Sequence, residues 1–190
     1  MDQLSDDIVV LVDESDRVIG SALKHEVHHS RTPLHRAFSV FLFNSNGEVL
    51  LQQRAFAKLT WPGVWSNSCC GHLLPDETVE AAAERRLDFE LGLRNIELTM
   101  ALPDYRYRAE KDGIVENEIC PVLFGFTDAI PVVNPNEVAE TEWKDWDVFL
   151  AELKAPGCEF SPWAIEEADL LSQLNVFTQA TGRKRQNVAA

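Results

Sequence analysis

Between Cys69 and Glu90 the sequence collects a thiol, an imidazole, two guanidiniums and a carboxylate. The run is Cys69-Cys70-Gly71-His72, followed by Arg85, Arg86 and Glu90. These are the side chains of proton transfer and of metal binding. Farther along, Glu116 and Glu118 stand two residues apart in an apolar stretch, a spacing that puts both on one face of a strand. They suit an acid–base pair or a hard divalent cation, and the ordinary alternative is an exposed sheet face. His28 and His35 are seven apart with Pro33 between them, so they are not a one-face helical pair. They could meet His72 only by converging through a loop and the start of a strand. Residue type alone does not choose them over His25 and His29. Imidazoles beside carboxylates widen the metal choice to manganese or zinc. A free cysteine is by default a small buried hydrophobe. Cys70 departs from that default through its neighbours Gly71 and His72, and strand-like alternation turns Cys69 to the other side as its packing neighbour.

The elements that must position these groups follow from periodicity. Asp7–Asp13 and Arg17–Leu23 read as a hairpin. Lys24–Arg31 is polar and histidine-rich, with Pro33 interrupting any helix. Arg36–Phe43 and Glu48–Arg54 form a second hairpin about Asn46-Gly47. Ala55–Asn67 is expected to be irregular. Val79, Ala83, Leu87 and Leu91 recur every fourth residue, the spacing of a buried stripe on a helix over Thr78–Leu91, and Gly92 is its stop. Arg86 and Glu90 share a face of that helix. A carboxylate at Glu90 meets the unfavourable end of the helix dipole and calls for a partner. Asn95–Leu102, the alternating Tyr105–Arg108, a long Ile114–Thr127 and Glu140–Asp145 read as strands, with a turn at Asp112-Gly113. A short helix over Asp147–Leu153 precedes a final one running from a capping Ser161 and Pro162 to about Thr178.

At 190 residues the chain is expected to form one domain with a sizeable core. Its net charge of -14 and pI near 4.7 argue against binding a phosphate backbone. Local cations within an acidic protein suit a small anionic ligand instead. The terminal Arg183-Lys184-Arg185 reads as a solvated tail. Asp2, Asp6 and Asp7 stand where a secretory leader would be basic and then apolar, and no apolar run approaches a membrane span. With four cysteines expected to be reduced, the expectation is a cytoplasmic protein without membrane or nucleic-acid partners.

Residues Gly71–Leu93 resemble a Nudix box. Gly71, Glu77, Arg85, Leu87, Glu90 and Gly92 fit its pattern, while Arg86 and Phe89 stand where it has two of its three metal-gathering glutamates. Together WPGVW, NSCCGH, YRYRA, GIVENEICPV and FSPW are similar to the type 1 isopentenyl-diphosphate delta-isomerases, from about residue 7 to 180. The resemblance implies an α+β fold, an α/β/α sandwich whose mixed sheet is flanked by helices. N-terminal strands and a metal-binding loop would occupy about 7–35, the core about 36–155, and a C-terminal helix about 161–180. It implies Cys70 and Glu118 as catalytic groups, with Tyr107 in a hydrogen-bonded cluster about Glu118. His28, His35, His72, Glu116 and Glu118 would hold manganese, zinc or magnesium. Glu90 would help to hold a second magnesium against the substrate diphosphate, with Lys24, Arg54, Lys58 and Arg86 contacting that diphosphate. Trp163 would offer its π-face to a carbocation. Trp61 and Trp65 are further candidates to close a dry pocket, though tryptophan is by default core filling. The activity implied is conversion of isopentenyl diphosphate to dimethylallyl diphosphate in isoprenoid biosynthesis by a monomer or weak homodimer. The alternatives are a Nudix hydrolase of diphosphates, which needs the missing box carboxylates, and a non-catalytic Nudix-fold binding module, which needs neither the thiol nor the Glu116/Glu118 pair.

Overall fold

The computed structural model describes residues 8–182, so the N-terminal acidic residues and the Arg183-Lys184-Arg185 run lie outside the described residues. In chain order the elements are β1 (Ile8–Val12), β2 (Val18–Leu23), α1 (Lys24–Val27), β3 (His35–Phe43), β4 (Glu48–Arg54), β5 (Trp65–Ser66), β6 (Cys69–His72), α2 (Val79–Leu91), β7 (Leu98–Leu102), β8 (Arg106–Lys111), β9 (Ile114–Ile119), β10 (Val122–Phe126), β11 (Val138–Asp145), α3 (Trp146–Leu153), α4 (Pro162–Gln173) and α5 (Asn175–Ala180). This is the expected α+β class.

Strand β3 is the hub. Its run of aromatic and β-branched residues favours a strand, and every residue after Arg36 is buried. It pairs antiparallel with β1, β4 and β6, and parallel with β9 and β10. Period-two alternation splits its side chains between two cores. Ala37, Phe41 and Phe43 pack with Trp146, Phe149, Leu171 and Phe177 from α3, α4 and α5. Phe38, Val40 and Leu42 pack with Ala83, Leu87 and Leu91 of α2. Helices therefore cover both faces, and each fully buried phenylalanine contributes about 1.5–3 kcal/mol of transfer free energy. The α2 boundaries follow its sequence signals: Thr78 accepts from the Ala81 amide, and Gly92 adopts the left-handed φ of 64°.

Several local expectations are corrected. Ile114–Thr127 is two strands, because Pro121 offers no amide donor and the chain steps from one part of the sheet to the other there. The Pro121 carbonyl instead accepts from the Ser39 amide. The final helix breaks at Leu174, whose backbone is extended, and α5 then delivers Phe177 into the core. Ser161 precedes α4 but does not cap it through its hydroxyl, which bonds Ser66 at 2.8 Å. Lys24–Val27 does form one helical turn, Trp65–Ser66 adds a short strand, and Asn95 takes a left-handed φ of 56° ahead of β7.

Candidate active site

Three imidazoles converge beside β9. His28 follows α1, His35 opens β3, and His72 closes β6. Their ring centroids lie 5.0–5.3 Å apart. Register aligns His35 with Glu118 across the parallel β3–β9 pair. Glu116 and Glu118, buried on one face of β9, supply the carboxylates. The Nδ1 atoms of His28 and His35 lie 2.8 and 2.9 Å from the carbonyls of Lys24 and Pro33. Those carbonyls can only accept, so each Nδ1 carries the proton and each Nε2 presents a lone pair inward. Both Nε2 atoms are buried without a hydrogen bond, as is Glu116 Oε2, although His28 Nε2 and Glu116 Oε2 stand only 3.0 Å apart. Orphaned lone pairs this close are expensive unless a cation takes them. Donor atoms of His28, His35, His72 and Glu116 all lie within 4.8 Å of one another. The set of imidazole nitrogens and a carboxylate oxygen thus fits a divalent cation.

Glu118 stands beside that group, with Oε1 at 3.1 Å from His72 Nε2 and 3.4 Å from His35 Nε2. Burial opposes its ionisation, but the imidazoles of His35 and His72 beside it outweigh burial and hold its carboxyl well below the usual range. Burial pushes His72 well below its usual value despite Glu118, which keeps this imidazole neutral, as a ligand must be.

Across β6 the two thiols face opposite ways. Cys69 is fully buried in the α2-side core, while Cys70 packs toward Trp61, Trp163, Ala164 and Tyr107. Cys70 donates to Asn67 Oδ1 at 3.1 Å and lies 3.5 Å from Ser39 Oγ. Burial pushes its thiol up to about 12, so Sγ favours its protonated form at neutral pH. Tyr107 lies opposite Glu118 in the β8–β9 register, and its ring sits 5.4 Å from that of Trp163. Burial and the charges of Glu118 and Glu116 hold the Tyr107 phenol well above its ordinary value. Trp163 anchors its indole on Ser66 Oγ at 3.0 Å and meets Trp61 edge to face at 5.4 Å. A thiol, a phenol and two indoles therefore pack in one aromatic cluster. Trp65 is only half-buried and packs against the opposite core cluster.

The expected anion contacts gather on the α2 side. Burial and the charges of Lys58 and Arg86 lower Lys24 to about 8, and its charge is felt in turn by His72. The cationic group therefore adjoins the imidazoles. Arg86 is 7% exposed and donates to Glu90 Oε1 through Nε at 3.0 Å and Nη2 at 2.6 Å. The partner that Glu90's position called for is thus this guanidinium, with Gln52 donating to the other oxygen at 3.3 Å. Arg54 is turned to the chain itself, its Nη2 reaching the Thr60 carbonyl at 2.8 Å and Oγ1 at 2.9 Å. It fixes the loop that carries Trp61. Arg85 forks onto Glu77 at 2.8 and 2.9 Å and reaches the His72 carbonyl, pinning the loop between β6 and α2. Gly71, within β6, is closely approached: a Cβ there would stand 3.1 Å from both Arg86 Cγ and the Phe38 ring, so those side chains would have to give way.

Four polar residues near these groups escaped sequence reasoning. Asn67, Ser39 and Glu167 form a buried chain from Cys70. Asn67 Nδ2 donates to Ser39 Oγ at 2.8 Å, and Ser39 Oγ bonds Glu167 Oε2 at 2.6 Å. Signals for two of them existed: Ser39 is the lone hydroxyl in an apolar strand, and Glu167 falls on the Trp163–Leu171 stripe of α4. Glu137, which contacts Lys58 and Arg86, has no such signal.

A family model described as NUDIX domain matches residues 33–164. A curated protein of Saccharopolyspora erythraea named isopentenyl-diphosphate Delta-isomerase is 51% identical over 167 residues, spanning 87% of this chain and 86% of its own. One of the same name from Mycolicibacterium vanbaalenii is 47% identical over 173 residues, spanning 90% and 94%. Among solved structures, a Deinococcus radiodurans protein shares the fold with a TM-score of 0.68 at 24% identity, over 85% of this chain and 96% of that one.

Proposed function

The chain belongs to the Nudix domain family and, within it, to the isopentenyl-diphosphate Delta-isomerases, and from that premise we propose that it converts isopentenyl diphosphate to dimethylallyl diphosphate. The reaction adds a proton to the terminal alkene carbon, passes through a tertiary carbocation, and removes a proton from the neighbouring methylene. The observation that carries the reading is the placement of a thiol and a carboxylate about one aromatic cluster: Cys70, Tyr107 and Trp163 pack together, and Glu118 stands in register with Tyr107. Burial favours the protonated thiol of Cys70, and the imidazoles beside Glu118 favour its carboxylate. A donor and an acceptor poised together are what a proton shift between the two carbons flanking the cationic centre requires.

In this reading Tyr107, in register with Glu118, orients the Glu118 side. Trp163 turns a π-face toward the cation, and with Trp61 it keeps water from trapping it. His28, His35, His72, Glu116 and Glu118 would hold manganese, zinc or magnesium, which when bound supplies positive charge that fixes and tunes Glu118. Lys24, Lys58 and Arg86 bind the diphosphate, and Arg54 acts through the loop it holds. Glu90 would hold magnesium against the same diphosphate. This binding, remote from the reacting carbons, orients them. The hydrolase alternative is disfavoured because Arg86 and Phe89 replace two box glutamates and Arg86 is itself held in ion pairs.

Proton and phosphorus NMR of the purified protein with magnesium and isopentenyl diphosphate tests the proposal. Dimethylallyl diphosphate is expected to form with its diphosphate intact. Release of phosphate or a monophosphate would instead establish the hydrolase.

A further inference from the structure

Glu137 is the residue of the cationic group that the reaction outlined above does not use. Its main chain is fastened on both sides. The Ala55 amide donates to its carbonyl at 2.9 Å, and its own amide donates to the carbonyl of Asn134, which is tied in turn to the Glu90 carbonyl at 2.8 Å. The carboxylate is thereby directed onto Lys58 Nζ and onto Arg86 Nη2 at 3.1 Å. That Nη2 also holds Glu90 at 2.6 Å, so one guanidinium nitrogen bridges the two carboxylates. Burial disfavours the Glu137 charge, yet Lys58 and Arg86 outweigh burial and hold its carboxyl below the ordinary range. Two of the cations expected to grip a diphosphate thus already carry an internal anion. Beside Glu90, the buried Gln52 donates its amide nitrogen to the carboxylate at 3.3 Å and leaves its amide oxygen without a partner.

We propose that Glu137 is a specificity-determining counter-ion, which competes with a bare diphosphate for Lys58 and Arg86 and admits one that arrives with a divalent cation. A bare diphosphate must break both Glu137 pairs and then lie beside two carboxylates whose charge opposes its own. A divalent cation shared with Glu90 and Glu137 reverses that repulsion and frees Lys58 and Arg86 for the phosphate oxygens. The inference rests on the assignment of this group as the diphosphate site.

The test is isothermal titration of inorganic pyrophosphate into the full chain, with and without magnesium, for the wild type, Glu137→Gln and Glu137→Asp. The wild type is expected to bind pyrophosphate more tightly with magnesium, by about tenfold or more. E137Q gains affinity for metal-free pyrophosphate, so that the magnesium dependence shrinks toward unity. E137D keeps the charge and keeps the wild-type ratio. Unchanged or weakened metal-free binding in E137Q overturns the proposal, as does identical behaviour of E137Q and E137D, which would mark a packing effect. Wild-type protein that binds no pyrophosphate under either condition overturns the diphosphate-site assignment and this inference together.

Discussion

Adjacent thiols on opposite faces of β6 allow the catalytic assignment to be separated from packing by two single substitutions. Cys69 is fully buried among Phe38, Val40, Leu87 and Leu91. Cys69→Ala removes one sulfur from that core and leaves a small void, at a cost of about 1–2 kcal/mol. For a chain of this size that lowers the melting temperature by about 2–8 °C. Turnover at 25 °C should stay close to wild type. Cys70→Ala should do the reverse. It removes a proton-transfer group, which lowers kcat by about 10²–10⁴-fold. The stability change should be below about 1 kcal/mol, because no buried polar atom is orphaned. Asn67 Oδ1 still accepts from Ser66 Oγ at 2.9 Å, and Ser39 Oγ keeps both Asn67 and Glu167. Calorimetry and NMR-detected turnover on the two variants give four readings. Loss of activity in Cys69→Ala with retention in Cys70→Ala would refute the assignment. Parallel losses of stability and activity in both would show that the β6 packing, not the thiol chemistry, controls turnover.

Three further outcomes are expected. Dialysis against a chelator should abolish turnover and lower the melting temperature, with about 2.7 kcal/mol lost if the cation was present at a hundred times its dissociation constant. His35→Ala should lower the bound-metal stoichiometry, and an unchanged metal-to-protein ratio by elemental analysis would exclude His35 as a ligand. Glu167, fully buried with one oxygen unpartnered, is raised well above the usual carboxylate range by burial, against the Ser39 bond and with the help of Glu118 and Glu166. The folded chain therefore keeps a proton that the unfolded chain has lost, and stability falls as pH rises from the unfolded value toward the folded one, by up to about 1.4 kcal/mol per pH unit. Glu167→Gln removes that slope, and a wild-type-minus-variant difference in urea-unfolding free energy that stays flat across the window counts against a neutral Glu167.

What the sequence disclosed follows the range of each physical signal. The α2 helix was readable to its ends, since stripe, Thr78 cap and Gly92 stop are all local. The two hairpins were readable for the same reason. The convergence of His28, His35 and His72 was not, because it depends on β3 pairing with β6 on one side and β9 on the other. Only the family resemblance chose His28 over His25 and His29, and the backbone acceptor at Lys24 now supplies a physical reason. The long strand was overextended because apolar alternation continues through Cys120 and Pro121. The final helix was overextended because Leu174 and Asn175 carry no strong stop signal. Glu137 was invisible because its partners lie 79 residues away in the sequence at Lys58 and on another element at Arg86.

The departures from the Nudix box have one physical consequence that joins these observations. A carboxylate-rich α2 would gather cations on the helix. Here Arg86 takes one of those positions, is buried, and binds Glu90 and Glu137. A buried guanidinium in this place repels a cation approaching α2 alone and attracts an anion, so a cation is welcome there chiefly in company with one. The side chains that could hold a cation lie instead around Glu118, with His28 after α1, His35 on β3, His72 on β6 and Glu116 on β9. Relocating them does two things at once. It leaves α2 with fewer of the carboxylates around which hydrolytic attack on a diphosphate would be organised, and it sets a charged, hydrogen-bonded cluster near Cys70, Tyr107 and Trp163. In the proposed reading the same fold holds the diphosphate as a handle and directs its proton chemistry to the hydrocarbon end.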